Sequence, residues 1–429
     1  MNQKISLITY GCKMNQAETQ KIGEELLRAG YDIVFEEKQG KSDYYLINSC
    51  TVTSEAERKI RQFIRKIKRM DINKKIITVG CYSQVDSFAL HNAGSDLVLG
   101  NLEKKYILDY IEKKGIFVNK AYWLNSKEKI YTPQKIISDK TRAFLPIQEG
   151  CNNACSFCKV IFARGTVLRS IKTFKVIELI QSYVKNGYKE IVLTGINLGL
   201  FGKDHGESLE YLMAQLDKIF NSINIRIRLT SLYPDNLTDK VSEMLAYSNV
   251  FEKHIHLSLQ HLSDKILKDM GRKYDKNIII SSINKLRDKN NFLSLSADLI
   301  VGFPGESDSD FEEIMDFLKH YDFLKIHVFR YSKRPGTKAS TFKDQISGNL
   351  KKDRLNKIIK ISDKSKNSYI DKMINKNALV ISEKTENGFT YGYDQYYIYH
   401  KINGVYDVNN ILNVKIKNVE DEGVISDVF

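Results

Sequence analysis

The chain has 429 residues, 42% of them apolar, which is too long for one ordinary core and apolar enough to fill two or three. Its 66 Lys and Arg against 52 Asp and Glu give a formal charge of +14 and a pI near 9.2, a balance that favours a polyanionic partner. Six cysteines, no apolar run long enough to span a membrane and no signal-peptide pattern exclude a disulfide scaffold and an integral membrane protein, so a cytoplasmic protein with reduced thiols is expected.

The first three cysteines share one context. Each follows a short apolar run of strand character: Ile5-Ser-Leu-Ile-Thr-Tyr-Gly before Cys12, Tyr44-Tyr-Leu-Ile-Asn-Ser before Cys50, and Ile76-Ile-Thr-Val-Gly before Cys81. Helical-period segments lie between them, at 16–30 and 54–70. Strand and helix in alternation argue for a doubly wound parallel sheet over residues 1–117. All strands of such a sheet end at the edge where ligands bind, so three thiols distant in sequence arrive together. Three unrelated core cysteines are the plain alternative. The stretch Arg58-Lys-Ile-Arg-Gln-Phe-Ile-Arg-Lys-Ile-Lys-Arg69 sets Ile60, Phe63, Ile64 and Ile67 at helical spacing, with cations between them. It reads as a helix buried on one side and basic on the other.

Residues 118–140 form a polar, weakly periodic connector. A second unit, 141–376, begins with Arg142-Ala-Phe-Leu-Pro-Ile-Gln148 and continues with strand-like runs at 189–194, 226–230, 254–259, 295–301 and 325–329. Six strand-helix steps predict an open, partial (β/α)6 barrel whose site gathers at the carboxyl ends of its strands. Directly after the first strand comes Glu149-Gly-Cys-Asn-Asn-Ala-Cys-Ser-Phe-Cys-Lys159, with thiols at Cys151, Cys155 and Cys158 and no fourth Cys or His nearby. Structural zinc wants four ligands, whereas three thiolates on a four-iron cube leave one iron open for chemistry. On spacing alone a zinc knuckle stays possible. Gly195, just past a strand, allows close backbone approach, and Ser258 and Gln260 put polar side chains at the end of an apolar strand. Lysines recur from Lys351 to Lys376, a second basic run. From 377 to 429 short alternating runs, Ala378-Leu-Val-Ile-Ser-Glu, Tyr396-Tyr-Ile-Tyr-His and Asn413-Val-Lys-Ile-Lys417, predict a small antiparallel barrel. Tyr391, Tyr393, Tyr396, Tyr397 and Tyr399 are divided there between core filling and base stacking.

Tyr10-Gly-Cys-Lys-Met-Asn-Gln16, Asn48-Ser-Cys-Thr-Val-Thr53, Gly80-Cys-Tyr-Ser-Gln84 and the Cys151 triplet together resemble the radical S-adenosylmethionine (SAM) methylthiotransferases. The likeness continues through Leu193-Thr-Gly-Ile-Asn-Leu-Gly199, His254-Ile-His-Leu-Ser-Leu-Gln260, Asp298-Leu-Ile-Val-Gly-Phe-Pro-Gly-Glu306 and Arg334-Pro-Gly-Thr337 into a C-terminal segment similar to a TRAM domain. It covers essentially the whole chain. The resemblance implies two [4Fe-4S] clusters, one on Cys12, Cys50 and Cys81 to carry sulfur, the other on Cys151, Cys155 and Cys158 to cleave SAM reductively. The resulting 5'-deoxyadenosyl radical takes hydrogen from adenine C2. It also implies SAM contacts from Phe157, Gly195, Asn197, Ser258, Gln260 and Asp298, an electron donor such as flavodoxin or ferredoxin, a sulfur source, a tRNA anticodon loop as substrate, and no membrane partner.

Cys50-Thr-Val-Thr53, Tyr10-Gly-Cys-Lys13 and Ala163-Arg164-Gly165 look like the branch acting on N6-threonylcarbamoyladenosine at tRNA position 37. Arg164 and Arg330 are the expected partners of its carboxylate. The alternatives are branches acting on isopentenyladenosine in tRNA or on a ribosomal-protein aspartate, and a catalytically silent iron-sulfur RNA-binding protein. Ile161, Tyr233, His261-Leu262 and Arg330 depart from the residues usual in the family at those points, which are proline, glutamate, Ser-Gly and proline.

Overall fold

The computed structural model describes residues 3–137, 141–420 and 423–429. Its first sheet has six parallel strands: β1 (Lys4–Thr9), β2 (Asp32–Phe35), β3 (Tyr44–Ser49), β4 (Lys75–Gly80), β5 (Leu97–Leu99) and β6 (Gly115–Phe117), in the order β2-β1-β3-β4-β5-β6. Alternate residues feed two cores. Ile5, Leu7, Leu46 and Ile77 face helix α1 (Lys13–Arg28). Ile8, Tyr45, Ile47 and Ile76 meet Ile60, Phe63, Ile64 and Ile67 of α2 (Ser54–Met70). Each buried Ile or Phe contributes about 1.5–3 kcal/mol, which fixes the apolar side of α2 inward and leaves its cations outside. Strand order reverses between β1 and β3, so their carboxyl ends flank a crevice at a topological switch point.

The second unit is an arc of six parallel strands: β7 (Arg142–Glu149), β9 (Glu190–Gly195), β10 (Arg226–Leu229), β11 (His254–Gln260), β12 (Ser294–Val301) and β13 (Lys325–Arg330). Between β10 and β11 the strand pairing is reduced to single bridges, Ile227 to Phe251 and Leu232 to Leu257. The two-residue β8 (Arg169–Ser170) runs antiparallel beside β7, a strand the periodicity did not show. Helix α1 packs on β7 at the open side of the arc. The connector is less polar in space than in sequence: it holds the helix Lys120–Asn125, and Trp123 is buried with its indole N–H on the Ala163 carbonyl at 2.8 Å. The last three connector residues, 138–140, lie outside the described residues.

The C-terminal strands β14 (Asn377–Glu386), β15 (Phe389–Asp394), β16 (Tyr399–Asn403), β17 (Ile411–Glu420) and β18 (Gly423–Val428) close a barrel in the order β14-β15-β16-β18-β17. Its pairing is antiparallel except between β16 and β18. Tyr396 and Tyr397 are not in a strand, as their alternation had predicted. They form the turn before β16, and Tyr397 takes a left-handed φ of 68°. This turn docks on the amino ends of the arc: Lys253 N–H donates to the Gln395 carbonyl at 2.9 Å, and Arg226 Nη1 to the Leu379 carbonyl at 2.7 Å. Among the described residues no helix is long and apolar enough to cross a membrane.

Candidate functional site

Cys12, Cys50 and Cys81 stand at the carboxyl ends of β1, β3 and β4. Cys12 is the N-cap of α1, with its backbone N–H and thiol both 3.3 Å from Asn15 Oδ1. The Asn15 amide in turn donates to Asn48 Oδ1 at 2.9 Å, which ties the Cys12 turn to the strand before Cys50. Gly80, at φ 95°, lets the chain double back into the helix that starts at Cys81; a Cβ there would lie 2.3 Å from Asn48 Oδ1. Burial, with Cys81 and Cys12 adding to it, pushes the Cys50 thiol up to about 12. Burial also raises Cys81, against the pull of Arg164. These three sulfurs feel one another's charge, as the sheet topology requires.

The second set lies on the loop after β7. Gly150 has φ 79°, and a Cβ on it would come within 2.0 Å of the Val167 carbonyl oxygen. Ser156 pins the loop from both sides, donating its N–H to the Met270 carbonyl at 2.9 Å and accepting from Ala339 N–H at 2.8 Å. Burial pushes the Cys158 thiol up to about 11, with Cys155 and Cys151 adding to it. Cys151 is raised by burial too, while the Asn153 N–H and the Asn197 side chain oppose the rise.

A cavity of about 900 Å³ joins these regions. Its wall takes alternate, inward-facing residues of the arc: His254, His256 and Ser258 of β11, Ser296 and Asp298 of β12, Lys325, His327 and Phe329 of β13. Cys12, Lys13 and Val52 reach it from the first domain, and Tyr393, Tyr397 and Tyr399 from the C-terminal barrel. Of the residues expected to touch SAM, Gly195, Asn197, Ser258 and Asp298 line this cavity. Gly195 also packs tightly on Gln148, whose atoms would sit 3.0–3.1 Å from an added Cβ. Gln260 and Phe157 are not on its wall: Gln260 is buried at a bulge with φ 67°, and the Phe157 ring lies 6.5 Å from that of Phe303.

Arg272 is the residue the sequence reading missed. Its guanidinium lies 4.8 Å from the Tyr233 ring and 5.4 Å from Phe157, on the cavity wall beside the triplet, where its charge favours the Cys151 and Cys158 thiolates. Its Nε and Nη1 and the Asn197 Oδ1 are buried without a hydrogen-bond partner, which leaves polar positions for a ligand. One arginine among 66 basic residues carries no local mark; the rings of Tyr233 and Phe157 that set it apart come from distant parts of the chain.

The substrate contact expected of Arg164 is corrected. The side chain is wholly buried and does not reach the cavity. Nε donates to Cys81 Sγ at 3.1 Å, Nη1 to Glu149 Oε1 at 2.9 Å and to Glu18, and Nη2 to Glu18 Oε2 at 3.0 Å. Arg330 is exposed at the end of β13, beside Phe329 rather than on the cavity wall itself.

A cysteine triplet at the mouth of a partial (β/α)6 barrel defines a radical SAM protein, and the chain matches the Radical SAM superfamily over residues 145–318 and the Uncharacterized protein family UPF0004 over residues 4–100. It is 35% identical to the threonylcarbamoyladenosine tRNA methylthiotransferase MtaB of Thermotoga maritima, across 98% of this chain and 96% of that one. It is 36% identical to MtaB of Bacillus subtilis, across 96% and 93%, and 34% identical to a tRNA-2-methylthio-N(6)-dimethylallyladenosine synthase of Fusobacterium nucleatum, across 84% of each. Among solved structures, the radical SAM methyltransferase TsrM of Kitasatospora setae shares the fold with a TM-score of 0.58 over 79% of this chain and 77% of that one, at 12% identity. The chain belongs to the radical SAM methylthiotransferase family.

Proposed function

We propose that the protein inserts a methylthio group at C2 of N6-threonylcarbamoyladenosine at position 37 of tRNA, with a [4Fe-4S] cluster on each cysteine trio. The observation that carries this reading is the single cavity onto which Cys12 of one trio and the polar strand ends beside the other both open. The donor sets suit such clusters. Within each trio the thiols lie near enough to raise one another, as three ligands of one cube must, and three thiolates leave one iron open for chemistry.

A cluster on the Cys151 trio, with SAM, would supply the hydrogen-abstracting radical chemistry that an aromatic C–H bond requires. The chain's own residues supply its placement. Cys151, Cys155 and Cys158 would hold the cluster, the free Nε and Nη1 of Arg272 and Oδ1 of Asn197 would face the anionic and polar ends of the cofactor, and Ser258 and Asp298 line the wall for its adenosine. Cys12, Cys50 and Cys81 present sulfur from the other side. The C-terminal barrel tyrosines and the basic face of α2 hold the RNA, and an external one-electron donor and a sulfur source complete the turnover.

Mass spectrometry of tRNA nucleosides from cells with and without this protein tests the reading. Loss of 2-methylthio-N6-threonylcarbamoyladenosine supports it. Loss of the isopentenyl counterpart alone moves the protein to the other tRNA branch.

A further inference from the structure

At the base of the cavity, Arg142, Arg226, Arg228 and Lys13 meet Glu190, Glu252 and Glu383. Arg142 pairs with Glu383 at 2.8 Å. Arg226 and Arg228 share Glu190, each at 2.8 Å, and both also hold Glu252. The three carboxylates are engaged by three arginines, so one cation is in surplus. Among the described residues Lys13 makes no ion pair within 4 Å, and Glu190 acts on its charge only from farther off. Asp298, the only carboxylate lining the cavity among the described residues, faces His256 Nε2 at 3.0 Å instead.

Lys13 is half-buried on the cavity wall, next in the chain to Cys12. It shares that wall with His254 of β11 and His327 of β13, so the residue faces the inner side of the strand arc. An unpaired, partly desolvated lysine facing a cavity is poorly solvated until an anion arrives.

We infer that Lys13 pairs the carboxylate borne on the N6 substituent of the substrate adenosine, so that the cavity selects an acidic arm over an apolar one. This rests on the function proposed above and names the residue that reads the substrate class. An apolar arm would leave the ammonium buried and unanswered, which is the strongest form of discrimination a polar pocket offers. The adjacency of Lys13 to Cys12 fits one nucleoside, whose C2 meets the sulfur-bearing trio while its arm meets the next residue.

The test uses full-length reconstituted protein and two anticodon stem-loops, one bearing N6-threonylcarbamoyladenosine and one with the same group converted to its methylamide. Wild type is expected to bind the acid about tenfold or more tighter than the amide. Lys13→Met should bind both alike and Lys13→Arg should keep the preference, with iron content measured on each; Lys13→Gln replaces Lys13→Met should the latter fail to fold. Equal affinity of wild type for acid and amide overturns the inference, as does a preference that survives Lys13→Met at full iron content. Neither result touches methylthio transfer itself, and a wild type that leaves threonylcarbamoyl tRNA unmodified overturns the proposed function while the acid-to-amide ratio is still read.

Discussion

One guanidinium, Arg164, touches both cysteine sets: Cys81 directly, the helix capped by Cys12 through Glu18, and the loop of Cys151 through Glu149. Glu18 lies 146 residues away in sequence, so nothing near Arg164 in the chain announced this role, and a surface or substrate role was the natural reading of an isolated Ala-Arg-Gly. The packing has a measurable electrostatic consequence. Burial alone would raise the Glu18 carboxyl, but Arg164 and then Lys104 outweigh it and hold it at about 2. A carboxyl lower in the folded than in the unfolded state stabilises the fold above its unfolded value near 4.5, and that stabilisation is lost as pH falls toward 2. At neutral pH it is on the order of 3 kcal/mol. Metal-free Arg164→Gln protein should therefore be less stable by about 3–5 kcal/mol, with its acid transition moved to higher pH, because the carboxylates it leaves behind stay buried. Thermal and acid unfolding followed by circular dichroism check this; unchanged transitions would show that the strut is dispensable.

Among the elements, long periodic segments were legible from sequence. The strands leading to Cys12, Cys50 and Cys81, the helix at 54–70 and six strands of the arc stand where hydrophobic spacing put them. The three-residue β5 and β6 and the two-residue β8 were not, because two or three residues carry no period. The Tyr396–Tyr397 turn misled for a different reason: its alternation is real, but the ring of Tyr397 stacks on His254 at 4.9 Å across a domain boundary, and tertiary packing overrode the strand pattern. Helix α2 shows both halves of its sequence pattern at once. Thr53 caps it, Val52 just before lines the cavity, and Arg65, Lys66 and Arg69 stand exposed farther along. Helix α2 is thus a basic ridge running from the cavity mouth. Replacing these three cations by glutamate should weaken tRNA binding at least about tenfold at low salt and flatten its salt dependence, since each lost phosphate contact removes released counterions. Filter binding across a salt series decides it, and an unaltered slope would assign the ridge to simple solvation.

At the scale of the whole molecule, the C-terminal barrel is not an appendage. Its strands β14 and β15 accept hydrogen bonds from Arg226 and Arg228, the same arginines that hold Glu190 and Glu252 in the floor of the arc. The Ser294 hydroxyl donates to the Tyr396 carbonyl at 2.5 Å, and Tyr397 lies between Arg142 and Arg228, 5.6 and 4.6 Å from its ring. The alternating runs of 377–429 read in sequence as a small barrel of its own, whose loss would weaken tRNA binding much more than SAM cleavage. The packing argues otherwise, because truncation would open a buried network of two arginines and two glutamates to water and remove the base of the cavity. The expected outcome of deleting 377–429 is a lower melting temperature of the metal-free chain and loss of SAM cleavage together with tRNA binding. Substitutions on the barrel's outer face, such as Lys384→Glu, should weaken tRNA binding more than SAM cleavage, since Lys384 is exposed, pairs with the exposed Glu386 and lies over the Tyr391 ring. A truncated chain that melts like the full-length protein and still cleaves SAM at the full rate would restore the modular view. It would also mean that the hydrogen bonds from the arc to this barrel add little to the fold of the arc.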